Sequence, residues 1–118
     1  SRGSVPATTL GMLQKGMTSV TAASKTTYTA VASDQIVVDT AANIVTITLP
    51  ATPAVGDEVT IMDGSATGGF ATNNCVVARN GSNIEGAASD DSLTVNNQCV
   101  TLIYANATKG WLYKSTNQ

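Results

Sequence analysis

Two pairs of neighbouring carboxylates are the best candidates for catalytic residues in this 118-residue chain, which contains no histidine. Histidine-dependent general bases, catalytic triads and metal sites are therefore excluded. Asp57-Glu58 lies between a glycine turn and a predicted strand, where the two side chains diverge. We interpret this pair as turn chemistry rather than as an acid and a base. Asp90-Asp91 could contribute to a calcium site, but the EF-hand spacing is absent, so we favour a solvated loop.

Other ligand-binding patterns are weak or missing. The glycines at 64, 68 and 69 are not followed by Gly-Lys-Ser/Thr, so they do not form a phosphate-binding loop. Three basic residues near the N-terminus, without interleaved aromatic residues, fall short of a nucleic-acid footprint. No apolar run approaches the roughly 18 to 20 residues that cross a bilayer. We expect no enzymatic activity, no cofactor, no metal, no nucleic acid and no membrane partner.

The two cysteines leave two interpretations open. Cys75 and Cys99 each fall inside a predicted strand. We favour buried free thiols that behave as small hydrophobic side chains. A disulfide is the alternative, and it requires the two Cα atoms to lie within about 7 Å of each other.

Short strand signals recur about every ten residues after Tyr28, each bounded by turn residues. We predict strands at 28–31, 35–39, 44–49, 58–62, 74–78, 82–85, 92–95, 98–104 and 111–114. Asn80-Gly81 and Lys109-Gly110 are predicted turns. Because no sustained helical period follows Thr26, the sequence predicts an all-β fold, a single β-sandwich or jelly-roll-like domain of eight to nine short strands. Trp111 is expected to cap one end of its core.

The segment 1–26 is predicted to form an extended N-terminal arm, with the β-sandwich body at 27–118. Residues 1–27 carry three basic residues and no acidic residue, whereas residues 28–118 carry three basic and eight acidic residues. A basic, partly apolar arm on an acidic body is suited to docking on a partner. The arm residues that we predict to bind a partner are Arg2, Val5, Leu10, Met12, Leu13, Lys15, Met17 and Lys25.

An ordered series of segments in the body carries a family likeness. The series is Tyr28-Thr29-Ala30-Val31-Ala32-Ser33-Asp34, Ile36-Val37-Val38-Asp39, Val45-Thr46-Ile47-Thr48-Leu49-Pro50, Gly56-Asp57-Glu58-Val59-Thr60-Ile61, Asn83-Ile84-Glu85-Gly86-Ala87-Ala88, Val100-Thr101-Leu102-Ile103-Tyr104 and Gly110-Trp111. It resembles a β-sandwich module of tailed-bacteriophage virion proteins over residues 28–114. That module occurs in tail fibres and in capsid decoration (cement) proteins, commonly as trimers.

The resemblance implies a structural or adhesive role and offers no catalytic residues. One module with an arm fits a decoration protein better than a fibre, which needs added shaft repeats or coiled coils. We therefore expect a homotrimer on the outer capsid surface of the virion, made in the host cytoplasm, that stabilises contacts between major capsid protein subunits. The alternative is a tail-fibre or head-fibre domain that binds a host cell-surface glycan.

Overall fold

The computed structural model describes residues 16–115, and the structural statements below concern those residues. They form nine strands and no helix: β1 (Met17–Thr21), β2 (Thr27–Thr29), β3 (Gln35–Asp39), β4 (Val45–Thr48), β5 (Glu58–Asp63), β6 (Cys75–Ala78), β7 (Asp91–Leu93), β8 (Cys99–Asn106) and β9 (Gly110–Ser115). The strands make two sheets, so the predicted all-β, sandwich-like class is confirmed. Within the described range, no helix is long and apolar enough to span a membrane.

The first six strands wind as a coil between the two sheets. One sheet has the order β1-β3-β5-β8-β9 and the other the order β2-β4-β6-β7, so consecutive strands from β1 to β6 lie in opposite sheets. Neighbours within this part are parallel, whereas β6–β7, β5–β8 and β8–β9 are antiparallel. The pairs β1–β2, β3–β4 and β5–β6 therefore form three successive coils stacked in parallel. The last coil is covered by antiparallel strands, with β7 beside β6 and with β8 and then β9 beside β5.

Alternation along each strand builds one core between the sheets. In β4, Val45 and Ile47 are fully buried while Thr46 and Thr48 face outward and are half-buried. Each fully buried Val, Leu or Ile contributes about 1.5 to 3 kcal/mol relative to an exposed position. The largest fully buried side chains are Trp111, Phe70, Ile36, Ile47, Leu49, Ile61, Leu93 and Leu102.

Trp111 is fully buried, as its predicted role in the core requires. Its ring lies edge-to-face with Tyr104, with ring centroids 5.6 Å apart. Gly110, which precedes it in the predicted turn, has a φ of 71°, and a Cβ there would lie 1.9 Å from the backbone oxygen of Asn83. The β8–β9 hairpin therefore requires glycine at this position.

The predicted arm is corrected between residues 17 and 26. Met17–Thr21 forms β1, which pairs in parallel with β3, and Val20 and Ala22 are buried in the core. The body therefore begins no later than Met17. The sequence obscures this strand because it lies at a sheet edge and buries few apolar side chains, directly after Gly16. The strand predicted at 82–85 is also wrong, since only isolated bridges form there, at Ile84.

Both cysteines are free, as favoured, but only Cys75 is buried. Val100 and Leu102 point into the core from β8, so Cys99 on the same strand points outward. The expectation of two buried thiols is therefore wrong for Cys99. The two cysteines belong to strands of different sheets, β6 and β8.

Candidate partner-binding surface

We call the end of the sandwich where β1, β3 and β5 begin the proximal end, and the opposite end the distal end. Met17 at the start of β1 pairs with Gln35 at the start of β3, and Glu58 begins β5 beside them. The loops from β2 to β3 and from β4 to β5 therefore lie at the proximal end. The chain also enters β1 at this end, so any partner contact by the preceding residues would begin here.

Three exposed apolar side chains lie at the proximal end. Met17 is 59% exposed, Val31 51% and Val55 74%. Val31 lies between β2 and β3, and Val55 lies between β4 and β5. Among residues 16–115, the other two large exposed apolar residues, Ile44 and Val95, lie at the distal end. Apolar side chains at one end of a sandwich, next to the start of the first strand, offer contact area to a partner.

A polar cleft of about 360 Å³ opens at the proximal end. It is lined by Ser33, Asp34, Gln35, Gly56, Asp57, Glu58 and Thr60. Asp34 is 2% exposed, and its Oδ2 accepts hydrogen bonds from the Tyr28 hydroxyl at 2.8 Å and the Val31 N–H at 2.9 Å. The hydrogen bond to Asp34, followed by burial, raises the pKa of Tyr28. Asp34 therefore fixes the turn that carries the exposed Val31.

Asp57 and Glu58 diverge as the sequence predicts. Asp57 Oδ2 accepts a hydrogen bond from the Ala54 N–H at 2.9 Å, which closes the turn before β5. Glu58 points elsewhere and forms an ion pair of 3.0 Å with Lys114 Nζ. The turn role predicted for this pair is confirmed for Asp57, whereas Glu58 begins β5 and pairs with Lys114.

A second cleft, of about 210 Å³, lies beside the loop between β6 and β7 and includes Asp90 and Asp91 in its lining. Asp90 Oδ1 accepts a hydrogen bond from the Arg79 N–H at 2.9 Å, and Asp91 Oδ2 accepts a hydrogen bond from the Tyr113 hydroxyl. Burial first, and then the hydrogen bond to Asp91, raise the pKa of Tyr113. Both carboxylates therefore hold the loop in place. Across residues 16–115, no three Cys, Asp or Glu side chains come together in a group that could hold a metal ion.

Asp63 organises the distal end and was not singled out from the sequence. Its Oδ1 accepts a hydrogen bond from the Ser65 N–H, and its Oδ2 accepts bonds from the Phe70 and Asn97 N–H groups, each at 3.0 Å. Burial acts to raise the pKa of Asp63, but the hydrogen bonds from Ser65, Phe70 and Asn97 outweigh it and lower the pKa below its ordinary value. Asp63 thus joins the loop after β5 to the turn before β8.

The predicted partner-binding residues divide into two groups. Arg2, Val5, Leu10, Met12, Leu13 and Lys15 lie outside the described residues. Met17 is exposed at the proximal end, whereas Lys25 lies in the distal turn between β1 and β2, with Nζ 5.5 Å from the centroid of the Tyr28 ring. The structure therefore does not bring Met17 and Lys25 together. Val31 and Val55 were missed, although Val31 ends the strand predicted at 28–31 and Val55 lies between the strands predicted at 44–49 and 58–62.

Comparison with known proteins adds no family assignment. A scan against models of known protein families finds no match, and a search of curated proteins finds none either. The functional proposal therefore rests on the sequence and on the geometry of residues 16–115.

Proposed function

We propose that this chain is a structural virion protein that decorates the outside of a phage capsid. One observation carries the proposal: Met17, Val31 and Val55 are exposed at the proximal end, where the chain enters β1. The preceding residues continue this apolar character with Val5, Leu10, Met12 and Leu13, and they add Arg2 and Lys15. Together they provide apolar anchors and positive charge for docking on the major capsid protein.

The outward faces of the sheets offer a second surface, one that could contact further copies of the chain. Several of its outward strand positions carry threonine, as in Thr60 and Thr101, whose hydroxyl oxygens lie 2.9 Å apart. Interfaces that bury a surface permanently are depleted in charge at their centre. A sheet face of low charge can therefore pack against further copies of the same chain, as a trimer would require.

Decoration would stabilise the shell by mass action. A protein that binds the assembled shell, and not its separated subunits, shifts the equilibrium toward assembly. Three linked copies also multiply modest contacts, because each further contact forms at a high effective concentration. A trimer that bridges adjoining capsid subunits would use both effects.

The burial of the aromatic residues favours decoration over glycan binding. Sugar sites usually offer an exposed aromatic platform. Trp111 and Phe70 are fully buried, and Tyr28, Tyr104 and Tyr113 are partly buried and packed against the core. Tyr28 is further occupied by its bond to Asp34. A glycan array probed with the purified chain tests the adhesin alternative, and micromolar binding would favour it.

Co-sedimentation with expanded empty capsids tests the proposal. The Met17→Asp, Val31→Asp and Val55→Asp changes should each weaken capsid occupancy at least about tenfold, because each places a charge in an apolar contact. Ile44→Asp and Val95→Asp are matched controls, since these residues are exposed at the distal end. Equal loss of occupancy in both sets, or no loss in either, would contradict a proximal docking surface.

A further inference from the structure

Asn80 and Gly81 form the turn that follows β6, as their sequence predicts. Their φ angles of 52° and 96° are both positive, which is the mark of a type I′ turn. The Ser82 N–H closes the turn with a bond of 3.3 Å to the Arg79 oxygen. Asparagine and glycine tolerate this backbone conformation better than other residues do, so the pair suits the turn.

The side chain of Asn80 holds the loop between β4 and β5. Its Nδ2 donates a hydrogen bond of 2.9 Å to the backbone oxygen of Leu49, which follows β4 and is fully buried. The loop that begins at Leu49 lies at the proximal end and carries Val55, which is 74% exposed. One amide nitrogen therefore joins the turn after β6 to the base of this loop.

The peptide group between Asn80 and Gly81 is open to attack. Both residues are exposed, and the Gly81 N–H makes no hydrogen bond within residues 16–115. A Cβ built on Gly81 would meet no heavy atom within 4 Å. Because glycine has no side chain, its backbone nitrogen can approach the Cγ of a preceding asparagine closely. Asn80 is the only asparagine in the chain that glycine follows.

We propose that Asn80 is a site of spontaneous deamidation, and that this modification frees the loop between β4 and β5. The Gly81 backbone nitrogen attacks Cγ of Asn80, and the new C–N bond closes a succinimide ring. The proton of that nitrogen and the side-chain NH2 group leave together as ammonia. Water then opens the ring at either carbonyl carbon, which gives aspartate or isoaspartate.

The modification removes the donor on which the loop contact depends. An ionised carboxylate only accepts hydrogen bonds, so the new side chain cannot bond to the Leu49 oxygen and repels it. The turn also gains a negative charge at the proximal end. These changes are properties of the isolated chain and do not depend on capsid binding.

Asn106 provides a matched comparison within the same chain. It is also exposed at a turn, but Ala107 follows it. Its Oδ1 accepts hydrogen bonds from the Thr108 N–H at 3.0 Å and the Lys109 N–H at 2.7 Å. The two bonds hold the side chain, and the Cβ of Ala107 hinders attack by the backbone nitrogen. We therefore expect Asn106 to keep its amide.

Peptide mapping by mass spectrometry, after incubation of the full chain in mildly alkaline buffer, tests the reaction. Asn80 should convert at least about tenfold faster than Asn106, because glycine lacks the side chain that hinders ring closure. Conversion of both residues at equal rates, or an intact Asn80 after Asn106 has converted, would overturn the proposal.

The Asn80→Asp variant, which reproduces the aspartate product, tests the effect on the loop. Amide hydrogen exchange measured by NMR should be faster at Ala54 and Asp57, whose N–H groups form the bonds that close the turn before β5. Exchange at Thr108 in the distant β8–β9 hairpin should be unchanged. Exchange at Ala54 and Asp57 as slow as in the unmodified chain would show that Asn80 does not hold the loop.

Discussion

Tyr28 donates a hydrogen bond of 2.8 Å to the carboxylate of Asp34, which is 2% exposed. The bond connects β2 to the turn that precedes β3, and the same carboxylate oxygen accepts the Val31 N–H. One side-chain pair thus fixes the first coil against the second and positions the exposed Val31. This contact links the stability of the fold directly to the shape of the proximal end.

Tyr28→Phe should destabilise the protein by about 1 to 3 kcal/mol, because it leaves a buried carboxylate with one fewer donor. The free energy of unfolding from urea titration measures this change. Tyr104→Phe is the matched control, since Tyr104 is half-buried and its hydroxyl makes no hydrogen bond within residues 16–115. Equal effects of the two changes would contradict the role of the Tyr28–Asp34 bond.

Asp63 should make stability depend on acidic pH. Its pKa in the folded protein is lowered from the ordinary value of 3.8, so its contribution is present above that pH and is lost as the pH falls through the lower folded value. The urea midpoint of the wild-type chain should fall on acidification below about pH 4. Asp63→Asn should cost on the order of 1 kcal/mol at pH 7 and much less at pH 2. Asp57→Asn, at the proximal end, serves as the control. A difference between wild type and Asp63→Asn that stays constant from pH 7 to pH 2 would show that ionisation of Asp63 is unimportant.

The two thiols should react at very different rates. Burial, with a smaller effect of Asp63, raises the pKa of Cys75 to about 12, whereas Cys99 is exposed. Since the thiolate is the reactive form, a maleimide should label one thiol per native chain and two per unfolded chain. Cys99→Ser should abolish native labelling, and Cys75→Ser should leave it unchanged. Two fast-reacting thiols in the native protein would contradict the buried position of Cys75.

Trp111→Ala should destabilise the protein by about 3 to 5 kcal/mol, because it removes a fully buried ring that packs against Tyr104. Trp111→Phe should cost much less. It retains an aromatic ring and removes an indole N–H that has no hydrogen-bond partner among the described residues. Denaturant titration measures both changes. A shift below about 1 kcal/mol for Trp111→Ala would place the ring at the surface.

Strand positions could be predicted well from the sequence, because alternation of apolar and polar residues reports burial directly. Gln35–Asp39 matches its predicted bounds, and the strands at Val45–Thr48 and Cys75–Ala78 differ from theirs only at the ends. The parallel coil was not predicted. Alternation fixes which face of a strand is buried, but it does not specify the partner strand or its direction.

The candidate surface was harder to predict than the fold. Met17 was identified as an anchor, but Val31 and Val55 belong to the same end only because β1, β3 and β5 start side by side. Asp34 was missed although its partners Tyr28 and Val31 are close in sequence. Asp63 was missed as an organising residue because its partner Asn97 lies 34 residues further along the chain. Such contacts depend on strand order, which periodicity does not reveal.

Sedimentation of the purified chain, first alone and then with expanded empty capsids, tests the central claim most directly. A truncated chain without the proposed docking residues serves as the comparison. It should lack residues 1–15 only, because a cut at residue 26 would also delete β1 and the buried Val20. The decoration proposal predicts a trimer that co-sediments with shells when full-length and loses occupancy when truncated. A monomer that does not bind shells, or a truncated chain that decorates them as well as the full-length protein, would contradict it.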